Sequence, residues 1–583
     1  MRRVSRFSTV GAVVGSATLL AAIFIAVPSG AASIGSVVAR IGSPTWTAGV
    51  EAPGTATLNV GGEAQVNDVS CTKVGDCVVV GTYATSSTAN ADFVEVESGG
   101  AWGSAEEIPG YAALNVGASQ DLGDEVQCTS TGNCTIAGTY AGPSSYLYPF
   151  TASETNGTWS NALELTGFPY SNGDLSADLS ALSCSGVGDC VVSGDFYDNS
   201  ALSIYEASES KGVWGSPVVL GGISALDSSY VDTTTLSCSS TGNCGEAGVY
   251  SIGSSTTEFS AFVATESDGT WGSAVQIPGL ATLNVANLAA PAAISCEGSG
   301  DCVVGGQYSV TSSEVGGFIA IEKSGTWASA EEVPGLATLD AENGGSTNAV
   351  SCSTATTCVV GGNYKDASGS YQPFVEDETN GTWGNAIEVP NAATLNNGGV
   401  GGILSTSCSS AGNCGATGFY TDNQGNVQAF VVNQTAGTWG NAIEIAGVQA
   451  LNQDGLAEGL SISCASDGSC GVGGEYTDAS NDSQAFVANS NATLSTPNAP
   501  AIRVASHAVG SITVTLKAAA SNGGDPVTEY EYSLNGRAWV KAGTSSTVTI
   551  RHLKAKTLYH VRLRALNTLG AGKTSASVSV SVI

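Results

Sequence analysis

Histidine and positive charge are what this chain largely lacks. Its three histidines, His507, His552 and His560, all lie near the C-terminus of the 583 residues. Ser-His-Asp and Cys-His nucleophile systems need an imidazole, so both are excluded from everything before His507. Eighteen Lys and Arg stand against 51 Asp and Glu, a formal net charge of −33, and that balance opposes nucleic-acid binding. Charge of either sign is scarce at 12% while 42% of residues are hydrophobic, which excludes a disordered polyelectrolyte. Beyond the N-terminal segment there is no apolar run long enough to cross a bilayer.

That N-terminal segment carries Arg2, Arg3 and Arg6, then an apolar run from Val10 to Val27, then Pro28-Ser29-Gly30-Ala31-Ala32. The order predicts a signal peptide over residues 1–32, cut after Ala32. An uncleaved anchor competes, because the run is nearly long enough to span, but its Gly and Ser content and small-residue exit favour cleavage. The expected location is secreted or extracellular, with cell-wall association, and with no membrane span after cleavage.

Export makes cysteine informative. All sixteen fall into C-x5-C pairs: Cys71 with Cys77, Cys128 with Cys134, Cys184 with Cys190, Cys238 with Cys244, Cys296 with Cys302, Cys352 with Cys358, Cys408 with Cys414 and Cys464 with Cys470. Successive pairs are 54 to 58 residues apart, a period that signals a propeller or solenoid. Four residues after each second cysteine comes Gly81, Gly138, Gly194, Gly248, Gly306, Gly362, Gly418 or Gly474, and two further an aromatic, from Tyr83 to Tyr476. Within one unit, Ser407-Cys408 ends a first strand, Cys414–Tyr420 is a second, Gln428–Gln434 a third, and Thr438–Trp439 opens a fourth ending near Ile445. No amphipathic helix is expected in the array. Four short antiparallel strands per unit describe a propeller blade.

Tryptophan sets how the array closes. Trp46 precedes the first cysteine pair, and Trp102, Trp159, Trp214, Trp271, Trp327, Trp383 and Trp439 follow the first seven pairs, while 25 residues after Cys470 stands Ser495 and not a Trp. The array therefore starts with a fourth strand and ends with a third. The expected fold is an all-β, eight-bladed β-propeller over residues 33–490, its last blade completed by the N-terminal strand near Trp46.

Each C-x5-C pair across a hairpin is expected to be a structural disulfide, worth roughly 2 kcal/mol at best for so small a loop. Metal or redox chemistry is disfavoured because the array has no His and the pairs look alike. The recurring Gly is expected to permit a bulge or the close approach of a neighbouring backbone, crowding near the axis supplying the need, and the Tyr and Trp to pack between blades. A further recurrence lies 13 residues after each Trp: Asn59, Asn115, Asn172, Asp227, Asn284, Asp340, Asn396 and Asn452. It reads as an Asx turn between blades or, more sharply, as a polar ring on one face that takes a cation or a sugar. Six Asn and two Asp make a weak calcium set. The Asp-rich loops Asp422–Asn426 and Asp478–Asp482 lack EF-hand spacing and read as solvated turns. No cofactor, metal or catalytic residue is assigned.

Residues 33–490 hold five basic residues, Arg40, Lys73, Lys211, Lys323 and Lys365, against 48 acidic ones, a formal charge of −43. Hairpins such as Ser267-Asp268-Gly269-Thr270-Trp271 partly resemble the Asp-box of sialidase-like propellers. The spacing differs by a residue, and the arginine cluster of that chemistry is missing. Paired carboxylates remain an open route to glycoside hydrolysis.

After a linker at 491–500 the charge reverses: residues 501–583 carry ten basic residues and three acidic ones, Asp525, Glu529 and Glu531. Leu553, Thr557, Tyr559, Val561, Leu563, Ala565, Asn567, Gly570, Gly572 and Ser575 follow the pattern of a fibronectin type III domain, which this segment resembles. Leu516 departs from it where Trp is usual. The resemblance implies a β-sandwich with Tyr559 at a tyrosine corner. The whole chain is similar to secreted actinobacterial proteins that join C-x5-C repeats to such a domain. The expectation is a non-enzymatic binding or adhesion protein contacting extracellular polysaccharide or a surface protein. A carboxylate glycoside hydrolase and a structural coat component are the alternatives.

Overall fold

The computed structural model describes residues 45–582 apart from 118–123, 144–145, 169–175, 199–200, 227–229, 254, 256, 299, 491–495, 517–526, 528, 546 and 568–569. The expected signal segment and half of the linker lie outside the described residues.

The chain is all-β, with repeated four-stranded antiparallel sheets. Around Cys408, Gly401–Ser410 pairs with Asn413–Thr421, which pairs with Val427–Thr435. The fourth strand comes in two pieces, Thr438–Trp439 and Ile443–Glu444, each antiparallel to the third. The sheet of Ala457–Cys464, Cys470–Thr477 and Ser483–Asn489 takes its fourth strand from the other end of the repeats: Val50 lies opposite Val487 and Glu51 opposite Phe486. Trp46 bridges Ser490 beside them. Tyr476 Oη donates to Glu51 Oε2 at 3.3 Å, reproducing across the chain the bond that Tyr420 makes with Glu444 inside one repeat.

The sheets are propeller-like in how they meet. First strands of consecutive sheets lie side by side, and that of the first sheet lies beside that of the last. The residue before each first cysteine, a serine in seven of the eight and Gln127 in the other, serves this contact. The Cys128 N–H donates to Ser70 Oγ (2.8 Å), Cys296 to Ser237 (2.9 Å), Cys408 to Ser351 (3.0 Å) and Cys464 to Ser407 (2.9 Å). Cys238 and Cys352 repeat the bond to Ser183 and Ser295, while Cys184 uses Gln127 Oε1. Cys71 donates to Ser463 Oγ at 3.0 Å, which carries the series from the last sheet back to the first.

All eight expected disulfides are formed. Cys71 is bonded to Cys77, Cys128 to Cys134, Cys184 to Cys190 and Cys238 to Cys244. Cys296 is bonded to Cys302, Cys352 to Cys358, Cys408 to Cys414 and Cys464 to Cys470. The partners lie directly opposite in register, with Cα atoms 3.9 to 4.0 Å apart, as a hairpin of this length dictates. The disulfides also fill space between sheets: a Cβ on Gly245 would lie 2.8 Å from the Sγ atoms of Cys296 and Cys302, and one on Gly471 would lie 2.7 Å from Cys71 Sγ. The recurring strand glycine has a more local cause than crowding at an axis. The first strand bulges between Ile403 and Ser405 and thrusts a carbonyl at its partner, so a Cβ on Gly418 would meet Gly402 O at 2.0 Å. At Gly362 the distance to Ser346 O would be 1.9 Å.

The tryptophans pack between sheets as expected. Trp46 Nε1 donates to Asn433 Oδ1 at 2.8 Å, Trp327 Nε1 to Thr265 Oγ1 at 3.1 Å and Trp439 Nε1 to Asp377 at 3.2 Å, each acceptor lying on the preceding sheet. Among the described residues of the array only short helical turns occur, none of them an amphipathic helix. Connections between sheets carry single helical turns, Thr55–Leu58, Tyr111–Leu114, Leu280–Leu283, Leu336–Leu339, Ala392–Leu395 and Val448–Leu451. One turn is too short to leave a 3.6-residue periodicity. Among the described residues no helix is long and apolar enough to cross a membrane.

The C-terminal segment forms two further antiparallel sheets. One orders Ile502–Ala508, Ser511–Leu516 and Thr547–Ile550; the other orders Val540–Gly543, Glu529–Leu534 and Leu558–Asn567, with Gly570–Ala571 and Val578–Ser581 also on the last. Ile512, Val514, Leu516, Val548, Ile550, Val561 and Leu563 make one shared core, so Leu516 fills its position as an apolar residue.

Candidate functional site

The two ends of each sheet differ in kind. At one end the cysteine hairpin meets the turn between third and fourth strands, as where Gly437 N–H donates to Gly412 O at 2.8 Å. The other end carries the loops between second and third strands and the helical turns.

The residues expected as a polar ring sit at this loop end, and six of the eight are described; Asn172 and Asp227 lie outside the described residues. Each ends a helical turn, where Asx chemistry redirects the chain. Asn59, Asn284, Asp340, Asn396 and Asn452 are buried and Asn115 half-buried. Their side chains bind the chain itself. Asn396 Nδ2 donates to Tyr371 O (2.7 Å) in one sheet, and its Oδ1 accepts from Thr421 N–H (3.1 Å) in the next. Asn59 repeats this from Ser483 O (3.0 Å) to Glu63 N–H (2.8 Å), linking last sheet to first. Asn115, Asn284 and Asn452 donate likewise to Asn90, Phe259 and Val427 carbonyls. Asp340, with no N–H, accepts from Gly344, Gly345 and Lys365 instead.

Behind these residues lie ordered turns. Asp422 Oδ1 accepts the N–H groups of Gln424 and Asn426, its Oδ2 takes Gln428 Nε2, and Gln428 Oε1 accepts Asn452 Nδ2. Asp366 with Gln372, and Asp478 with Gln484, do the same, and hydrogen bonding holds all three carboxyls below the usual range although their partial burial opposes it. No group of three or more His, Cys, Asp or Glu among the described residues is arranged to hold a metal ion.

A second acidic set was invisible in the sequence reading. Glu97, Glu154, Glu209, Glu266, Glu322 and Glu378 are buried, each in register with the Trp of the next strand. Burial pushes Glu97 and Glu322 up to about 7 and raises the other four. Burial likewise pushes Glu95 and Glu376 up to about 8. The signal was present as a glutamate five residues before six of the tryptophans, but nothing in one strand says that its outward face is covered by a neighbouring sheet.

Chemistry open to solvent needs a break in the repeat. In the third and fourth sheets the loop end collects Asp178, Asp195, Tyr197, Tyr230 and Asp232. Asp178 lies directly opposite Asp195, an unfavourable like-charge pair. Thr139 Oγ1 donates to Asp178 Oδ1 at 2.7 Å, and Tyr230 Oη to Asp232 Oδ2 at 3.1 Å. Burial, then Asp232, then Asp195 and Tyr197, raise the Tyr230 phenol. Tyr197 is 42% exposed. A second opposed pair, Glu458 and Glu475, lies in the last sheet, where burial and then Glu475 push Glu458 up to about 7. By contrast, two slots beside the disulfides, lined by Cys464 and Cys470 and by Cys358 and Cys408, are only about 10 and 40 Å³. An exposed phenol beside carboxylates offers a flat apolar face and several hydroxyl acceptors.

No family model matches this chain, and no curated protein does. Among solved structures it is similar to an ulvan lyase of a new polysaccharide lyase family, at 10% identity over 67% of this chain and 96% of that one, with a TM-score of 0.38. It is similar to a thermostable family-43 glycoside hydrolase at 12% identity over 47% and 94%, TM-score 0.28. It is also similar to the twitchin kinase region of C. elegans at 23% identity, covering 15% of this chain and 17% of that one, TM-score 0.13.

Proposed function

We propose that the chain is a secreted protein with a signal peptide at 1–32, an eight-bladed β-propeller at 33–490 closed by its N-terminal strand, a linker at 491–500 and a fibronectin type III domain at 501–583. It works as a non-enzymatic binding or adhesion protein at the cell surface or in the extracellular matrix, contacting polysaccharide through its loop end. The pairing of Glu51 with Phe486 and the bond from Cys71 to Ser463 support the ring. The Lys554 N–H bond to Tyr559 Oη, at 3.0 Å, supports the tyrosine corner. Eight disulfides fit an oxidising compartment.

The observation that carries the binding reading is the tyrosine–aspartate sector around Tyr197, an accessible departure from the repeat. Aromatic faces with hydroxyl acceptors suit a neutral glycan, and a carboxylate-rich rim disfavours an anionic one there. Glycan-array binding by the full chain tests it: neutral glycans are retained, and Tyr197→Ala weakens retention tenfold or more. Retention indifferent to Tyr197 removes the sector from the reading.

The hydrolase alternative draws on two opposed pairs, Asp178 with Asp195 and Glu458 with Glu475. Reducing-sugar release that Glu458→Gln abolishes would favour it over binding.

A further inference from the structure

The C-terminal sheets carry a surface of the opposite sign. In the strand Leu558–Asn567, Val561, Leu563 and Ala565 are fully buried, so His560, Arg562 and Arg564 alternate onto the outer face. Arg562 and His560 are exposed, and i, i+2 spacing sets the three about 6.8 Å apart along the strand. The register puts His560 opposite Ser579, Arg562 opposite Ser533 and Arg564 opposite Glu531. Ser533 Oγ donates to Arg537 O at 2.6 Å, which brings the backbone of the exposed Arg537 to the residue opposite Arg562.

Both carboxylates of this face are already engaged. Glu531 takes Arg564 at 2.7 Å and Glu529 takes Lys541 at 2.5 Å. That leaves Arg537, Arg562 and His560 without a carboxylate partner among the described residues. Beside them the half-buried Trp539 stacks under Arg564, the guanidinium 4.3 Å from its ring.

Glu95, Glu97, Glu322 and Glu376 are among the carboxyls of the repeats that are buried, which takes part of the −43 away from the surface; a second copy is the rival occupant, and self-association tests it. The cationic groups left on this face match carboxylates recurring along a linear polymer, and an indole beside them suits a pyranose face.

We infer that the outer face of this sheet, through Arg537, Arg562, His560 and Trp539, binds an acidic polysaccharide bearing uronate carboxylates. The inference rests on the binding reading above but on a different surface. Loss of neutral-glycan retention in Tyr197→Ala leaves it standing, and failure on acidic glycan leaves the loop end standing.

The test titrates the full chain with polygalacturonate, inorganic polyphosphate and amylose at low and moderate salt. The wild type binds polygalacturonate, more weakly as salt rises, and ignores amylose through this face. Arg537→Glu with Arg562→Glu lowers polygalacturonate affinity tenfold or more, while Arg551→Glu, beyond the strand Thr547–Ile550 of the other sheet, changes it less than threefold. Unchanged circular dichroism confirms that the variants fold. The inference is overturned by absent binding, by equal losses in both variants, or by tighter binding of polyphosphate. Salt-sensitive self-association lost in the double variant would also overturn it, in favour of a second copy.

Discussion

The repeated sheets and the C-terminal sheets are built of the same strands but hold together differently. The C-terminal pair encloses one apolar core, has no cysteine and, among the described residues, buries one charged side chain, Glu531, which Arg564 pairs. A repeat sheet cannot enclose anything alone. It covers its two faces with its neighbours, pins its hairpin with a disulfide, and passes one hydrogen bond from the N–H of its first Cys to the sheet before. It also buries carboxyls in these junctions, with almost no cation nearby. The contrast teaches that stability in the repeats belongs to the junctions, and in the C-terminal sheets to the unit.

Removing residues 45–52 should break the contrast most. It strips Trp46 and the pairing of Glu51 with Phe486, so the repeats should lose on the order of 5 kcal/mol, while the C-terminal sheets stay protected. Hydrogen exchange read by peptide separates the two regions. Equal loss of protection in both would mean that they unfold as one unit.

Raising the pH should separate them next. The buried glutamates bind a proton more tightly folded than unfolded, so their contribution is fullest below about 4.5 and falls away as pH rises through 7 to 8. The loss is on the order of 3 kcal/mol for each fully buried carboxyl that must ionise. Denaturant midpoints measured from pH 4 to pH 9 should fall for the repeats and stay nearly level for the C-terminal sheets. A repeat region that gains stability with pH would refute this account of the junctions.

The finest test adds one bond to one junction. Trp159 Nε1 has no acceptor, and the position equivalent to the acceptor Thr265 is Val96. Val96→Thr should supply it and raise the repeat midpoint by about 0.5–1 kcal/mol, with no effect on the C-terminal sheets.

Much of this was legible in the chain. Cysteine spacing named the disulfides, the Trp offset named the strand that completes the last sheet, and turn residues bounded the strands. In the C-terminal segment the alternation that marks Ser511–Leu516, Glu529–Leu534, Thr547–Ile550 and Leu558–Asn567 is visible in the chain. The Asn535-Gly536 turn precedes Val540–Gly543 and Val578–Ser581 alternates Val with Ser, whereas Ile502–Ala508 alternates only weakly. The helical turns escaped for want of length. The Ser-Cys dipeptides and the Glu five residues before Trp were in plain view but pointed nowhere, since both act on a neighbouring sheet.

Period, pairing within a hairpin and strand polarity are local properties, so the order of residues alone determined the repeat, its disulfides and the offset between its ends. Whether a side chain faces water or a neighbouring sheet depends on residues some 55 positions away. Only the tertiary structure could turn the expected ring of Asn and Asp into buried staples, hide the glutamates behind tryptophan, and leave Tyr197 and Arg562 at the surface.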